Sequence, residues 1–363
     1  MKKIITILGA RPQFIKSKPL SDALRHHKRI KEVIVHTGQH YDFCMYRVFL
    51  RELNLPKPKY FLGINRGDNT SQVWRMLKKL SGVIERENPD LVLVYGDTNS
   101  TLAGALAAKQ KGIALAHIEA GMRSFDLKMP EELNRVITDR LADLLFVPVR
   151  EGMTNLKNEG RKKGVFLVGD VLCDVLLTYK DRIKKIFFPL KGRLGIKQQK
   201  YCFLTLHRQD SVDNRSNLEL LLKNIAQIKT KIIFAVHPRT TKMVRRFGLA
   251  RYLKGNITCI PPLSYLEAIS LIQHARLVLT DSGGAQREAY ILKTPCITLR
   301  NETEWRQTLD NGWNRLVRLD PLHLSQLAVI AERENAIGAH SNIFGNGKAA
   351  IKILHILENF MLK

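Results

Sequence analysis

The sequence predicts an α/β protein made of two similar domains, each built on a parallel sheet. Two observations predict it. Short β-branched runs alternate with longer helical patterns along the whole chain, which is the rhythm of βαβ units. The chain also has 363 residues, enough for two domains of ordinary size.

The run KIITILG opens the chain as a strand, with a helix expected near 14 to 26. A signal peptide is not expected: the apolar core is short and Arg11 follows at once, so the chain reads as cytoplasmic. EVIVHTG is the next strand, followed by a long amphipathic helix from about 70 to 87 and the strand LVLVYG. The helix TNSTLAGALAAKQ is capped by Asp, Thr or Ser and stopped at Gly112, and IALAHIE is the strand after it. In MPEELNRVITDRLADLLFVP, Pro130 sits in the first turn and two acids lie beside the positive end of the helix dipole.

Segment 180 to 200 is basic, holds a proline and two glycines, and lacks steady periodicity. The interdomain connection is therefore expected at about 170 to 200. Alternation then resumes with YCFLTLHR, a helix near 216 to 229, IIFAVHP, ITCIPP, a helix near 264 to 274, LVLTDSGG, a helix from about 285, and PCITLR. The closing GNGKAAIKILHILENFMLK reads as an amphipathic helix returning to the first domain. The expected division is 1–171 plus 346–363 for one domain and 172–345 for the other.

The chain is 45% hydrophobic and 25% charged, with no apolar run that approaches the roughly 18–20 residues of a membrane-spanning helix. The five cysteines are scattered and never form C-x-x-C, so neither a disulfide framework nor a zinc knuckle is expected. Net charge is +26, and between residues 150 and 260 there are 24 Lys or Arg against 8 Asp or Glu. Such a surplus suits nucleic acid, an anionic membrane or a phosphorylated small molecule, or is simply a solvated surface. No RNP, helix-turn-helix or zinc-finger pattern accompanies it, so a nucleic-acid partner is not expected.

Ligands of parallel sheets gather at the carboxyl ends of strands. Asp97 follows LVLVYG, Glu119 follows IALAHI, His207 follows YCFLTL, His237 follows IIFAV, and Asp281 with Ser282 follows LVLT. Should the two domains face one another across a cleft, these ends converge on it. DSGGAQRE sets two glycines before a helix, so Ser282, Gly283 and Gly284 are candidates for a phosphate cradle and Glu288 for ribose hydroxyls. An ordinary Gly-rich turn with Asp281 as the cap is the alternative.

GARPQFIK offers Arg11 and Lys16 beside backbone donors, which suits a diphosphate; exposed surface cations are the alternative. Asp97 and Glu119 end the two strands of one βαβ unit, so two carboxylates near one another are expected to divide acid and base roles. Asp97 is expected to cap the following helix as well. Neither a G-x-G-x-x-G after the first strand nor a Walker loop is present. The metal motifs H-E-x-x-H and D-x-D are missing too, so no metal site is expected.

Taken together, GARPQFIK, TGQHYD, VYGDTNSTLAGALAA, HIEAGMRS, PEELNR, VGDVLCD, LTLHR, HPR, LTDSGGAQ and GWNRLV resemble, in order, the non-hydrolysing UDP-N-acetylglucosamine 2-epimerases. The resemblance implies two Rossmann-like domains facing a cleft, a GT-B type fold. It implies elimination of UDP to a 2-acetamidoglucal and its re-addition, without nicotinamide or metal. Asp97, Glu119, Glu131 and His207 would be catalytic; Arg11, Lys16, Ser282, Gly283, Gly284 and Glu288 would hold the UDP-sugar. A cytoplasmic homodimer working in cell-envelope polysaccharide synthesis is the corresponding expectation.

Three departures stand out. HRxEN reads HRQDS, DSGGxQEE carries Arg287 for its first acid, and TERPE reads TEWRQ with Trp305 for an arginine. The ETEW segment is more similar to the branch acting on UDP-2,3-diacetamido-2,3-dideoxyglucuronate, which is the leading alternative substrate. QHYD replaces the QHR form found where a second UDP-sugar activates the enzyme. A hydrolysing epimerase, a glycosyltransferase and a basic nucleic-acid binder are the remaining rivals.

Overall fold

A computed structural model describes residues 1–39, 52–333 and 337–362. The QHYD segment from His40 onward lies outside the described residues. The chain divides into two compact units, Met1–Thr178 with Ile343–Lys363, and Tyr179–Asn342.

The first unit carries a seven-stranded sheet ordered β3-β2-β1-β4-β5-β6-β7, and all of its pairings are parallel. Its strands are β1 (Lys2–Leu8), β2 (Ile30–His36), β3 (Tyr60–Phe61), β4 (Leu91–Tyr95), β5 (Ala114–Ile118), β6 (Leu144–Val147) and β7 (Val165–Leu167). Central strands such as β4 are buried along their whole length, which is why they read as continuous apolar runs rather than alternating ones. Helix Asn69–Glu87 buries Met76, Leu80, Val83 and Ile84 at helical spacing, and Asp68 caps it by accepting from the Ser71 N–H. The closing helix Ala349–Met361 belongs to this unit: the Asp174 carboxylate accepts the Ala349 and Ala350 N–H groups at its start, and Glu358 meets His27 at 2.6 Å.

The second unit repeats the order with six parallel strands, β10-β9-β8-β11-β12-β13. These are β8 (Tyr201–Thr205), β9 (Lys231–Ala235), β10 (Ile257–Ile260), β11 (Leu277–Thr280), β12 (Cys296–Leu299) and β13 (Asn314–Val317). In both sheets the strand order reverses once, between β1 and β4 and between β8 and β11. That reversal point is where an open α/β sheet leaves a crevice for ligand.

Two details differ from the sequence reading. The segment expected to connect the domains is helical: Val171–Thr178 and Lys180–Leu194 are separated only by Tyr179, and the units divide there. Pro189 and the glycines masked the i, i+4, i+7 stripe of Ile183, Phe187 and Leu190, all buried, with Phe187 stacked on His274 at 4.0 Å. The strands β3, β6, β7 and β13 were not expected; two to four residues long, they offer too little alternation to be seen. No helix among the described residues is long and apolar enough to cross a membrane.

Candidate active site

Gly9 and Gln13 build the reversal point of the first unit. A Cβ on Gly9 would lie 2.0 Å from Ser100 Oγ and 2.2 Å from Thr37 Oγ1, so only glycine allows this close approach. The buried Gln13 amide oxygen accepts the Gly9 and Ala10 N–H groups at 2.8 and 3.0 Å. Its NH2 donates to the Tyr95 carbonyl at 2.7 Å, tying the end of β1 to that of β4. The backbone donors expected to meet a diphosphate here are thus occupied by Gln13.

Lys16, one turn into helix Arg11–Arg25, points its ammonium at Glu119, with Nζ to Oε2 at 2.5 Å; the two residues are 7% and 8% exposed. A Cβ on Gly96 would sit 3.8 Å from both Glu119 Oε1 and Lys16 Nζ, so the pair lies over that glycine. Arg11 is half-buried at the first position of the helix.

Glu119 itself has φ of +75°, a region a residue with a Cβ enters only when its surroundings impose it. The imposing contacts are visible. The Phe146 carbonyl accepts both the Glu119 and Ala120 N–H groups at 3.1 Å, and Gly121, at φ +80°, packs so closely that a Cβ would meet the Gly152 oxygen at 2.5 Å. The loop after β5 therefore turns sharply instead of extending the strand.

Asp97 follows β4, beside β5, and its carboxylate pairs with Arg135. The Asn134 NH2 donates to the Asp97 carbonyl at 2.9 Å. Thr98, not Asp97, caps helix Asn99–Gln110, accepting from the Thr101 N–H. The capping expectation for Asp97 fails because its carboxylate is drawn to a cation. Each of the two carboxylates is met by a cation of its own, Lys16 or Arg135.

Glu131 and Glu132 both sit in the first turn of helix Pro130–Leu141, yet they face differently. Glu131 is exposed and available to a ligand, whereas Glu132 is buried and accepts from the Ser124 and Phe125 N–H groups and from Arg135. Burial pushes the Glu132 carboxyl up, but the Ser124 N–H and the Arg135 charge outweigh it and hold it below the usual carboxylate range.

In the second unit His207 follows β8, its side chain 37% exposed and its ring 5.5 Å from that of His237. His237 accepts from the Arg239 N–H and caps helix Pro238–Phe247. Asp281, wholly buried, accepts the His207 N–H at 2.9 Å and the Arg208 N–H at 2.9 Å, binding β11 to β8 across the reversal. The cap of helix Gly283–Ile291 is Ser282, which accepts from the Ala285 N–H.

The next two glycines have different reasons to be glycine. A Cβ on Gly283 would lie 2.6 Å from Glu304 Oε1, so the buried Glu304 carboxylate would have to shift to admit it; one on Gly284 would meet nothing nearer than Ser282 Oγ at 3.7 Å. Half-buried Glu288 lies on the same helix. Among the described residues no group of three or more His, Cys, Asp or Glu is placed to hold a metal ion.

Residues 22–358 match the family model described as UDP-N-acetylglucosamine 2-epimerase. The chain belongs to that family. It is 47% identical to a UDP-N-acetylglucosamine 2-epimerase homolog of Methanococcus maripaludis, over 98% of this chain and 99% of the relative. It is 40% identical to the UDP-2,3-diacetamido-2,3-dideoxy-D-glucuronate 2-epimerase of Pseudomonas aeruginosa, over 98% and 99%. The crystal structure of the Methanocaldococcus jannaschii UDP-GlcNAc 2-epimerase with UDP-GlcNAc and UDP superposes with a TM-score of 0.91 at 41% identity, covering 99% of this chain and 100% of that one. Both parallel sheets thus belong to an α/β fold shared with solved 2-epimerases.

Within this epimerase family two of the sequence departures prove to be one feature. The Arg287 guanidinium lies 3.8 Å over the buried Trp305 ring. The cation of Arg287 is held by stacking on the Trp305 ring. Glu304 beside them pairs with Arg300 at 2.9 Å and Arg208 at 3.6 Å.

Sequence reasoning missed Gln13, Arg135 and Asp139. On helix Pro130–Leu141 the positions 132, 135 and 139 are spaced three and four apart, a buried polar stripe on one face. That spacing was the available signal.

Proposed function

We propose that this chain is a non-hydrolysing UDP-sugar 2-epimerase, an isomerase that interconverts UDP-N-acetylglucosamine and UDP-N-acetylmannosamine. The observation that carries the reading is Glu119, held at positive φ and buried against Lys16 over Gly96, at the end of the strand next to that of Asp97. Strained backbone that several contacts enforce is characteristic of a reacting site.

The hydrogen at C2 is not adjacent to a carbonyl, so direct deprotonation is beyond a carboxylate. Loss of UDP from C1 develops oxocarbenium character, which acidifies that hydrogen and rewards a nearby negative charge. The C1–O bond breaks with its electron pair leaving on UDP, a carboxylate takes the C2 proton, and a 2-acetamidoglucal results. Re-addition of UDP at C1 with a proton delivered to the opposite face of C2 gives the epimer. Asp97 and Glu119 supply the base and the electrostatic stabilisation, with Glu131 and His207 as further catalytic groups.

Arg11, Lys16, Ser282, Gly283, Gly284 and Glu288 are assigned to the UDP-sugar. The Lys16 ammonium has three donors, so its pairing with Glu119 leaves others for a phosphate oxygen. Gly284 supports the nucleotide reading: the protein's own packing does not require glycine there, while a phosphate approaching the helix start does.

The test is incubation with UDP-N-acetylglucosamine in D2O, followed by proton NMR. The expected result is deuterium at C2 in both epimers, without stoichiometric release of UDP. Exchange only into UDP-2,3-diacetamido-2,3-dideoxyglucuronate assigns the substrate of the Pseudomonas relative instead. Deuterium in neither sugar rejects the reading.

A further inference from the structure

The proton-exchange chemistry proposed above leaves a buried charged network beneath it unused. His117, inside β5 and fully buried, has Nε2 2.7 Å from the Gly96 carbonyl and Nδ1 2.7 Å from Asp139 Oδ1. A carbonyl can only accept, so Nε2 carries a proton and donates it to Gly96, the residue before Asp97. Asp139, also fully buried, accepts in addition the Gly121 N–H at 3.0 Å and Arg123 Nη1 at 2.7 Å.

Arg123 is in turn gripped by the Glu159 carboxylate through two bonds of 2.8 Å. Asn155 donates to the Gly121 carbonyl at 2.9 Å. Gly121 is thus held at its N–H and its C=O, two residues beyond the strained Glu119. Burial pushes the Asp139 carboxyl up, yet the His117 contact and the Arg123 charge outweigh it and hold it below the usual range. The Gly121 N–H, the Arg123 guanidinium and the His117 ring meet on this one carboxylate in a buried polar network, and its loss leaves the Gly121 and Arg123 donors buried without that partner.

The same helix that carries Asp139 carries Asn134 and Arg135, which hold the carbonyl and carboxylate of Asp97. We propose that Asp139 and His117 are a positioning pair that fixes the Glu119 loop against the Gly96–Asp97 loop, so that the two carboxylates keep the spacing that exchange at C2 requires. His117 reaches the Asp97 side through Gly96, and Asp139 reaches the Glu119 side through Gly121. Helix Pro130–Leu141 serves as the common support. Neither residue touches substrate; both act through the backbone of the loops.

The proposal rests on the epimerase reading, and its test keeps the two apart. Wild-type protein, Asp139→Asn, His117→Ala and His117→Gln are compared for C2 deuterium exchange, KM, UDP affinity, thermal midpoint and amide hydrogen exchange at Gly96 and Gly121. A shift of the reacting groups by about 1 Å costs on the order of 100-fold in rate. Asp139→Asn and His117→Ala are accordingly expected to lose about 100-fold in kcat, with KM and UDP affinity within about threefold of wild type. Gly121 amide exchange is expected to accelerate in Asp139→Asn.

A glutamine amide reaches the place of Nε2 and can still donate to Gly96, so His117→Gln is expected to recover about tenfold over His117→Ala. The proposal is overturned when folded Asp139→Asn and His117→Ala turn over within about threefold of wild type. It is equally overturned when His117→Gln is no better than His117→Ala, or when UDP affinity falls in step with kcat. Should Asp139→Asn fail to fold, the His117 pair decides alone. Absence of C2 exchange in the wild type refutes the epimerase reading instead, and the Gly121 amide then still reports whether Asp139 holds the loop.

Discussion

The two units share one strand order and put opposite chemistry at its reversal. In the first, a neutral amide, Gln13, ties β1 to β4, and the loops around it carry two carboxylate–cation pairs, Glu119 with Lys16 and Asp97 with Arg135. In the second, a buried carboxylate, Asp281, ties β8 to β11, and the hydroxyl of Ser282 and two glycines come next at a helix start. The same topology therefore places carboxylate–cation pairs at one edge and a hydroxyl with two glycines at the other. Both ties occupy two backbone N–H groups, those of Gly9 and Ala10 in the first unit and of His207 and Arg208 in the second, so the difference lies in the side chains that the neighbouring loops carry.

That contrast breaks most sharply at the carboxylates. Asp97→Asn and Glu119→Gln are expected to lower C2 deuterium exchange by about 1,000-fold or more, within the range general acid–base groups contribute. Calorimetry is expected to find UDP affinity retained. A variant with near-normal exchange removes the first unit from the chemistry.

The two glycines of the second unit give the next largest effect. Gly284→Ala is expected to weaken UDP binding by about tenfold, or about 1.4 kcal/mol, while the thermal midpoint holds. Gly283→Ala brings a Cβ to 2.6 Å from Glu304 Oε1 and makes that carboxylate shift from its pairing with Arg300, at a cost expected near the low end, about 1 kcal/mol, of overpacking. Equal losses of stability in both would erase the distinction between a packing glycine and a ligand-facing one.

Thr98→Ala removes the side-chain cap of helix Asn99–Gln110 at a cost of about 1 kcal/mol, read as a fall of about 2–4 °C in thermal midpoint. Asp97→Asn, by contrast, leaves that cap in place. The smallest expected effect is on pH dependence. Glu132 and Asp139 titrate below their ordinary values in the folded chain. The stability they contribute is complete above the unfolded carboxylate values of about 4 and is lost as pH falls through the folded ones. Glu132→Gln should flatten the acid limb of thermal midpoint against pH.

Much of this architecture was legible because parallel strands buried on both faces are mostly apolar, as LVLVY, ALAHI and LVLT are apart from His117 and Thr280. The candidate side chains were legible for a related reason: a polar residue just past such a run has left the sheet at its carboxyl end, as Asp97, Glu119, His207 and Asp281 do. Segment 180–200 misled because Pro189 and glycine are read as breakers, although a buried Ile183–Phe187–Leu190 face outweighs them. Arg287 and Trp305 were each visible as a departure, but nothing in an 18-residue separation says that they touch.

The sequence by itself determined the alternation of elements, the chemical types at the strand ends and the family to which the chain belongs, since each follows from local pattern and residue identity. Only the tertiary structure decided the pairings: Lys16 with Glu119, Arg135 with Asp97, Gln13 with the GARPQ backbone, and His117 with Asp139. The reason is physical. Which residue types a strand tolerates is set by burial along the chain, but which cation meets which carboxylate depends on distances between elements far apart in sequence, and those exist only once the sheets have formed.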